Sequence, residues 1–264
     1  MTYTHGHHES VLRSHTWRTA ANSSAYLLPL LRPGLTLLDI GCGPGTITAD
    51  LAQLVAPGQA VGLDASDDVV GQAQAYAASR GVTNLRCEVG DLFSLNYDDA
   101  TFDIVHAHQV LQHLVNPGAA LTEMRRVLRP GGVLAVRDSD YGAFAWAPAD
   151  AGLDRWMELY LAVTQRNGHN ARIGPSLLGL AHAAGFDEVV VSSTCWTFAD
   201  PESRQWWGGL WADRVRLSRF AEQAVAYELS STDELEQIAH AFRRWAASAD
   251  GVFVVPHVEI LAHR

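Results

Sequence analysis

Only three cysteines, Cys42, Cys87 and Cys195, are scattered through 264 residues. Their odd number and wide spacing exclude a disulfide-stapled scaffold and fit a reducing compartment. The opening MTYTHGHHES has no apolar h-region, and the longest apolar stretches, such as Ala25 to Leu31, fall far short of membrane thickness. A cytoplasmic location without a membrane partner is therefore expected. Positive charge is in deficit: 19 Lys and Arg stand against 29 Asp and Glu, a formal net charge of −10. That sign repels phosphate backbones and anionic lipid, so nucleic acid is not an expected partner. Glycine-serine linkers and internal repeats are also absent. With 48% hydrophobic and 18% charged positions, the chain can bury one sizeable core, which excludes disorder.

From Leu35 to Arg137 one unit repeats: a short β-branched or Leu-rich run, a turn, and a stretch of 3.6-residue periodicity. That alternation is the signature of an α/β fold with a parallel sheet and crossover helices. Strands are predicted at Thr36–Ile40, Ala60–Asp64, Leu85–Asp91, Phe102–His108 and Gly132–Asp138, mostly continuous in apolarity as strands covered on both faces should be. Pro57-Gly58, Pro117-Gly118 and Pro130-Gly131-Gly132 punctuate the units. Beyond Asp140, Asp154–Asn167 and Pro175–Ala184 read as helices, Glu188–Phe198 as a strand, Pro201–Ala247 as mostly helical, and Val252–Ala262 as a last strand. The same sheet continues, with a helical insertion before its final strand. Residues 1–31 read as helices Ser10–Ala20 and Asn22–Leu31, a leader that packs over the sheet's edge or its open end.

The segment Leu37-Leu38-Asp39-Ile40-Gly41-Cys42-Gly43-Pro44-Gly45-Thr46 is a strand entering a glycine-rich turn and then a helix. Glycines there let a ligand approach the backbone without a Cβ in the way. A dinucleotide fingerprint would place glycine where Thr46 stands, and no Gly-Lys-Ser/Thr of a phosphate-binding loop follows. Asp64 ends the second strand 19 residues after Gly45, where a carboxylate can accept two hydrogen bonds from a ribose diol. Asp91 ends the third. Asp39, Asp64 and Asp91 thus mark the carboxyl ends of adjacent parallel strands, the general ligand position of open α/β sheets, and a nucleoside fits across them.

LLDIGCGPGT, VGLDAS, VGDLF, FDIVHAHQVLQHL and RRVLRPGGVLAVRD, in this order and spacing, resemble the class I S-adenosylmethionine-dependent methyltransferases, closest in style to the ubiquinone and menaquinone biosynthesis enzymes. The resemblance covers residues 35–140 and rests on five motifs together. It implies a Rossmann-like, mostly parallel seven-stranded sheet with helices on both faces and an antiparallel last strand. It implies S-adenosylmethionine as cofactor and S-adenosylhomocysteine as product. Carried over, Gly41, Gly43 and Gly45 face the methionine part of the cofactor, Asp39 supports its ammonium through the loop, Asp64 with Ala65 holds the ribose, Asp91 with Leu92 meets the adenine, and His108 lines the methionine side. The chain is then one domain: a lid at 1–31, a cofactor-binding core at 35–140, substrate-cap helices with the sixth strand at 141–250, and the final strand at 252–264. Arg172-Ile173-Gly174 before an Ala-Gly-Phe is a weaker likeness.

Other residues invite chemistry. His106 and His108 share a strand face, a spacing that suits a metal, but no carboxylate or thiolate partner stands at ligand spacing, so no metal is expected. His5, His7 and His8 are exposed tail residues or lid residues that touch substrate. His113 reads as bonding locally on its helix. Cys42, inside the loop, reads as a packed thiol. Trp17 and Arg18 either staple the leader or cover the cofactor. Trp206, Trp207 and Trp211 fall on one predicted helix; Trp206 and Trp207 are about 100° apart, so both cannot point into one small core pocket, and one lines a substrate cavity unless all three pack the insertion onto the sheet.

A sulfonium methyl is already activated, so transfer needs an acceptor held in line and water kept away. A weakly acidic acceptor gains from a base, about 10²–10⁴-fold. The proton-handling candidates are Tyr3 and His7 in the leader and Asp138 and Asp140 after the fifth strand, beside Tyr141 as a substrate residue. Alternatively Asp138 pairs with Arg137 and Asp140 caps a turn. The fourth strand ends in His-Ala-His-Gln, not in the Asn/Asp-Pro-Pro-aromatic motif of enzymes that methylate nucleobase amines. A Trp-rich insertion favours an apolar or aromatic small molecule. The expected activity is methylation of an indole, phenol or quinol in secondary metabolism, by a monomer or homodimer. The alternative is a non-catalytic S-adenosylmethionine-binding scaffold or sensor.

Overall fold

The computed structural model describes residues 16–264. In chain order its elements are α1 (Ala20–Ser23), β1 (Leu37–Ile40), α2 (Thr46–Val55), β2 (Ala60–Asp64), α3 (Asp67–Ser79), β3 (Leu85–Val89), β4 (Phe102–His108), α4 (Pro117–Val127), β5 (Leu128–Ser139), β6 (Ala145–Ala147), α5 (Ala151–Arg166), α6 (Leu177–Ala183), β7 (Glu188–Phe198), α7 (Pro201–Leu217), α8 (Arg219–Ala226), α9 (Thr232–Ala247) and β8 (Val252–His263). They fall into two compact units. The larger takes the described residues up to Asp138, then Ile173–Thr194 and His257–Arg264; the smaller takes Ser139–Arg172 and Cys195–Pro256.

The strands run in the order β3-β2-β1-β4-β5-β8-β6, with β7 also paired to β8. β1 pairs in parallel with β2 and β4, β2 with β3, and β4 with β5. The last strand runs the other way: Gly131 donates to the carbonyl of Arg264 at 2.7 Å, Arg264 to that of Gly132 at 3.0 Å, and β6 pairs antiparallel with β8. The mostly parallel sheet closed by an antiparallel strand is the architecture the resemblance implies, with eight strands in place of seven. The short strand β6 was not anticipated, because three residues cannot display an alternation of period two.

Alternate residues of the central strands feed two cores. Leu38, Ile40, Val105, Leu134 and Val136 belong to one apolar cluster, Leu37, Ile104, Val133 and Ala135 to another. Successive side chains point to opposite faces of a strand, so helices must cover both. Helix α4 shows how one is built: Asn116 accepts a hydrogen bond from Ala119 N–H, Pro117 occupies the first turn, and Ala120, Leu121, Met124 and Val127 form its buried stripe.

Among the described residues the leader is less helical than expected. Trp17–Thr19 are irregular, Thr19 caps α1 through a reciprocal bond with Asn22, and only a 3₁₀ turn at Leu28–Leu30 follows. Pro29 supplies no N–H to continue an α-helix. Most of Ser10–Ala20 lies outside the described residues.

The smaller unit has an aromatic core. Trp156, Tyr160, Trp211, Phe220, Phe242 and Phe253 are fully enclosed there. The Pro201–Ala247 segment divides into three helices, with breaks at Ser218 and before Ser231, which caps α9 by accepting from Glu234 N–H. Among the described residues no helix is long and apolar enough to cross a membrane.

Candidate active site

The glycine turn between β1 and α2 is held open by backbone conformation. Gly41, Gly43 and Gly45 have φ of +66°, +56° and +80°, a region L side chains rarely adopt. Gly41 and Cys42 both donate to the carbonyl of Leu63, at 2.7 and 3.0 Å, which ties the turn to β2. Gly43 N–H donates to Asp64 Oδ2 at 3.1 Å, and Ser66 N–H to Asp64 Oδ1 at 3.2 Å. Helix α2 begins with no side chain capping its first N–H groups. Past the neighbouring strand, exposed Asp91 accepts from Phe93 N–H at 2.9 Å, beside half-buried Leu92; Ala65 is exposed. Cys42 is a packed thiol: a hydrogen bond shared with Cys87 and its own burial push it far above the ordinary thiol range.

Asp39 lies under this turn rather than at its surface. Its Oδ2 accepts from Thr48 Oγ1 at 2.5 Å and its Oδ1 from His106 Nδ1 at 2.7 Å, while Ser24 Oγ lies 2.9 Å from His106 Nε2. All four side chains are buried. A carboxylate only accepts, so His106 Nδ1 carries a proton, and Ser24 Oγ meets the ring at Nε2. The metal-ligand spacing of His106 and His108 is thus spent otherwise, and among the described residues no His, Cys, Asp and Glu cluster suits a metal.

At the end of β4, His108 is buried, and burial followed by the charge of Arg18 pushes its pKa well below the usual histidine range. Arg18 donates to Gln109 Oε1 at 2.6 Å, and Gln109 Nε2 lies 2.7 Å from His257 Nε2. Trp17 is 37% exposed, with its carbonyl accepting from Asn22. The sequence offers Asp138 as a proton-handling candidate or as a partner of Arg137. Asp138 is completely buried and accepts the N–H groups of Leu111 and Gln112 at 3.3 and 3.2 Å, capping the 3₁₀ turn Leu111–His113. Burial pushes its pKa up to about 7. The Arg137 guanidinium donates to Glu259 Oε1 at 2.9 Å, and its charge acts against that upward shift of Asp138.

In the smaller unit, Asp140 caps the turn that follows it by accepting from Gly142 N–H at 2.9 Å, and Arg172 Nε lies 3.8 Å away. Tyr141 stacks between Tyr160 and Phe144, with ring centroids 4.2 and 4.3 Å away. The tryptophan expectation needs correction. Trp206 and Trp207 both reach Phe198, at 5.8 and 4.4 Å, the first tilted and the second stacked on its ring. Trp207 and Trp211 are buried, with Trp211 at 4.6 Å from Trp156 and 5.9 Å from Phe242, so they form core; Trp206 is only partly buried. Tyr3 and His7, with His5 and His8, lie outside the described residues.

Ser24, Gln109 and His257 escaped the sequence reading. Their partners are 82, 91 and 148 positions away, beyond the reach of any local pattern. The one available signal was Gln109 following a predicted strand end.

The donor set fits an adenosyl cofactor. Exposed Gly41 and half-buried Gly43 leave backbone accessible at the end of β1, and a carboxylate has about four lone-pair sites, so Asp64 keeps acceptor capacity for a diol after its two backbone bonds. The chain matches the methyltransferase-domain family over residues 31–176. A Schizosaccharomyces pombe protein named as an uncharacterized methyltransferase is 30% identical over 98% of this chain and 95% of its own length. An Aspergillus luteorubrus protein named as a probable methyltransferase is 30% identical over 98% and 96%. Among solved structures, the YcgJ protein of Bacillus subtilis covers 92% of this chain and 98% of its own, with a TM-score of 0.61 at 20% identity, a likeness of fold. The fold and the turn define a class I S-adenosylmethionine-dependent enzyme. The chain belongs to the methyltransferase-domain family, whose methyl donor is S-adenosylmethionine.

Proposed function

We propose that this chain moves the methyl group of S-adenosylmethionine onto an apolar or aromatic small molecule, an indole, phenol or quinol of secondary metabolism, in the cytoplasm. The observation that carries the donor half is the Asp64–Gly43 bond of 3.1 Å, which joins the end of β2 to the glycine turn in one continuous polar rim. S-adenosylmethionine supplies an electrophilic methyl on a sulfonium when bound. In this reading Gly41, Gly43 and Gly45 admit its methionine part, and Asp39 stiffens the turn from below. Asp64 with Ala65 takes the ribose hydroxyls, Asp91 and Leu92 border the adenine, and His108, Trp17 and Arg18 line the methionine side.

The protein's contribution is positioning and exclusion of water. A neutral His108 adds no positive charge beside a sulfonium. Tyr3, His7 and Asp140 are the proton acceptors proposed for an acidic acceptor group; Asp138 is committed to its turn. The acceptor half rests on the aromatic content of residues 139–256, with Tyr141 and Trp206 as proposed contacts, and on the negative net charge.

Calorimetric titration of the full chain with S-adenosylmethionine tests the donor half. Asp64→Ala should weaken binding about tenfold or more, the loss of charge-assisted hydrogen bonds; unchanged affinity removes the assignment. Methyl-labelled donor offered with a panel of phenols, indoles and quinols tests the acceptor half, which fails if label reaches only aliphatic amines or carboxylates.

A further inference from the structure

Gln109 follows β4 with φ +55°, a left-handed conformation that a residue with a Cβ adopts at a cost and that persists where the surroundings over-determine it. Three bonds do so. Its backbone N–H donates to the carbonyl of Arg137 at 2.7 Å, its Oε1 accepts from Arg18 at 2.6 Å, and its Nε2 meets His257 Nε2 at 2.7 Å. The turn brings Val110 to the glycine loop, where its Cγ2 lies 2.6 Å from the point a Cβ on Gly41 would occupy. Gln109 is thus one residue from the atoms that pack beneath the cofactor turn.

The chemistry of the three partners dictates a proton position. A guanidinium has no acceptor, so the amide oxygen must face Arg18 and the amide nitrogen must face His257. That NH₂ group can only donate, so His257 Nε2 must accept. A neutral imidazole with a bare Nε2 carries its proton on Nδ1. A histidinium would set an Nε2–H against the amide hydrogens.

We propose that Gln109 is a positioning residue for methyl transfer: its amide, oriented by Arg18, fixes His257 as the neutral Nδ1–H tautomer and holds Arg18 against the carboxyl end of β4. His108 belongs to the same assembly, its ring stacked on that of His257 at 6.2 Å and 24°. Arg18 on one side and an imidazole of defined polarity on the other then border the methionine end of the donor. The inference rests on the donor placement proposed above.

The test uses the full chain with ¹⁵N-labelled histidine, the His257 signals being assigned with His257→Gln. The wild-type spectrum should show a protonated Nδ1 and a bare Nε2. In Gln109→Glu the carboxylate can only accept, so His257 Nε2 should become protonated. Gln109→Gly adopts φ +55° without strain, which offsets part of the stability lost with its two side-chain bonds, while the Kd for S-adenosylhomocysteine rises about tenfold through lost preorganisation. A tautomer unmoved by Gln109→Glu, or an affinity within about twofold in Gln109→Gly, overturns the proposal. Absence of S-adenosylhomocysteine binding to wild type would instead defeat the donor placement, and the tautomer spectrum would still decide what Gln109 does.

Discussion

His106 Nδ1 lies 2.7 Å from Asp39 Oδ1, with the two side chains 0% and 4% exposed. The pair sits in a chain that starts at Ser24, beside α1, and ends at Thr48, in α2. A buried carboxylate deprived of its donor costs much more than the bond itself contributes. His106→Leu should therefore lower unfolding free energy by about 3 kcal/mol in urea titration. Ser24→Ala removes one neutral hydroxyl and should cost about 1 kcal/mol. Equal losses in the two variants would show that Asp39 does not depend on His106.

Asp138 gives stability a pH dependence of defined sign. Its folded pKa, about 7, is above that of an unfolded aspartate, near 3.9. Between those values the folded state binds the proton and the unfolded state does not. The contribution is full below about pH 4 and is lost as pH rises towards 7, by roughly 4 kcal/mol in all. Asp138→Asn cannot titrate, so the wild type should lose stability relative to it from pH 5 to 7.5 and run parallel above. Parallel curves across the whole range would mean that Asp138 is ionised throughout.

The aromatic core of the smaller unit separates packing from contact. Trp211 is enclosed by Trp156, Tyr160, Trp207 and Phe242, with centroids 4.6 to 6.0 Å away. Trp211→Ala should cost about 4 kcal/mol, as large cavities in aromatic cores do. Trp206 keeps solvent exposure and should cost about 1 kcal/mol when truncated. Denaturation curves rank the two, and a Trp206→Ala loss as large as that of Trp211→Ala would make Trp206 core as well.

Which of these features the sequence could reveal follows from the range of the interaction behind each. The glycine turn is local: strand, positive-φ glycines and helix are adjacent in the chain, so Gly41, Gly43 and Gly45 were legible, as was the strand alternation that builds the sheet. The place of Asp64 at the end of β2 was legible because the strand–turn–helix unit has a nearly constant length. His106 could be seen but not interpreted, since its meaning lies in Ser24 and Asp39, brought to it by the fold. The surroundings of Asp138 were illegible for a related reason: the N–H groups it caps come from the turn after β4. The tryptophans show the limit of helical-wheel geometry, which fixes Cα directions but not how far a two-ring side chain can lean.

Gly45 and Gly34 allow the turn's conformational demand to be measured apart from its crowding. Both have positive φ, +80° and +95°. Nothing lies within 4 Å of a Cβ on Gly34, so Gly34→Ala should cost only the left-handed strain, about 1 kcal/mol. A Cβ on Gly45 would meet Ala73 Cβ at 2.9 Å and its Cα at 3.0 Å, backbone that cannot swing aside. Gly45→Ala should therefore cost about 3 kcal/mol, strain plus overpacking. Removing the obstructing methyl relieves only the second part: Ala73→Gly in the Gly45→Ala background should couple favourably by about 1 kcal/mol once the intrinsic cost of glycine in helix α3 is subtracted in a double-mutant cycle. A coupling of zero would mean that the close packing of α2 on α3 at Gly45 is not what the glycine serves, and that its φ alone accounts for the residue.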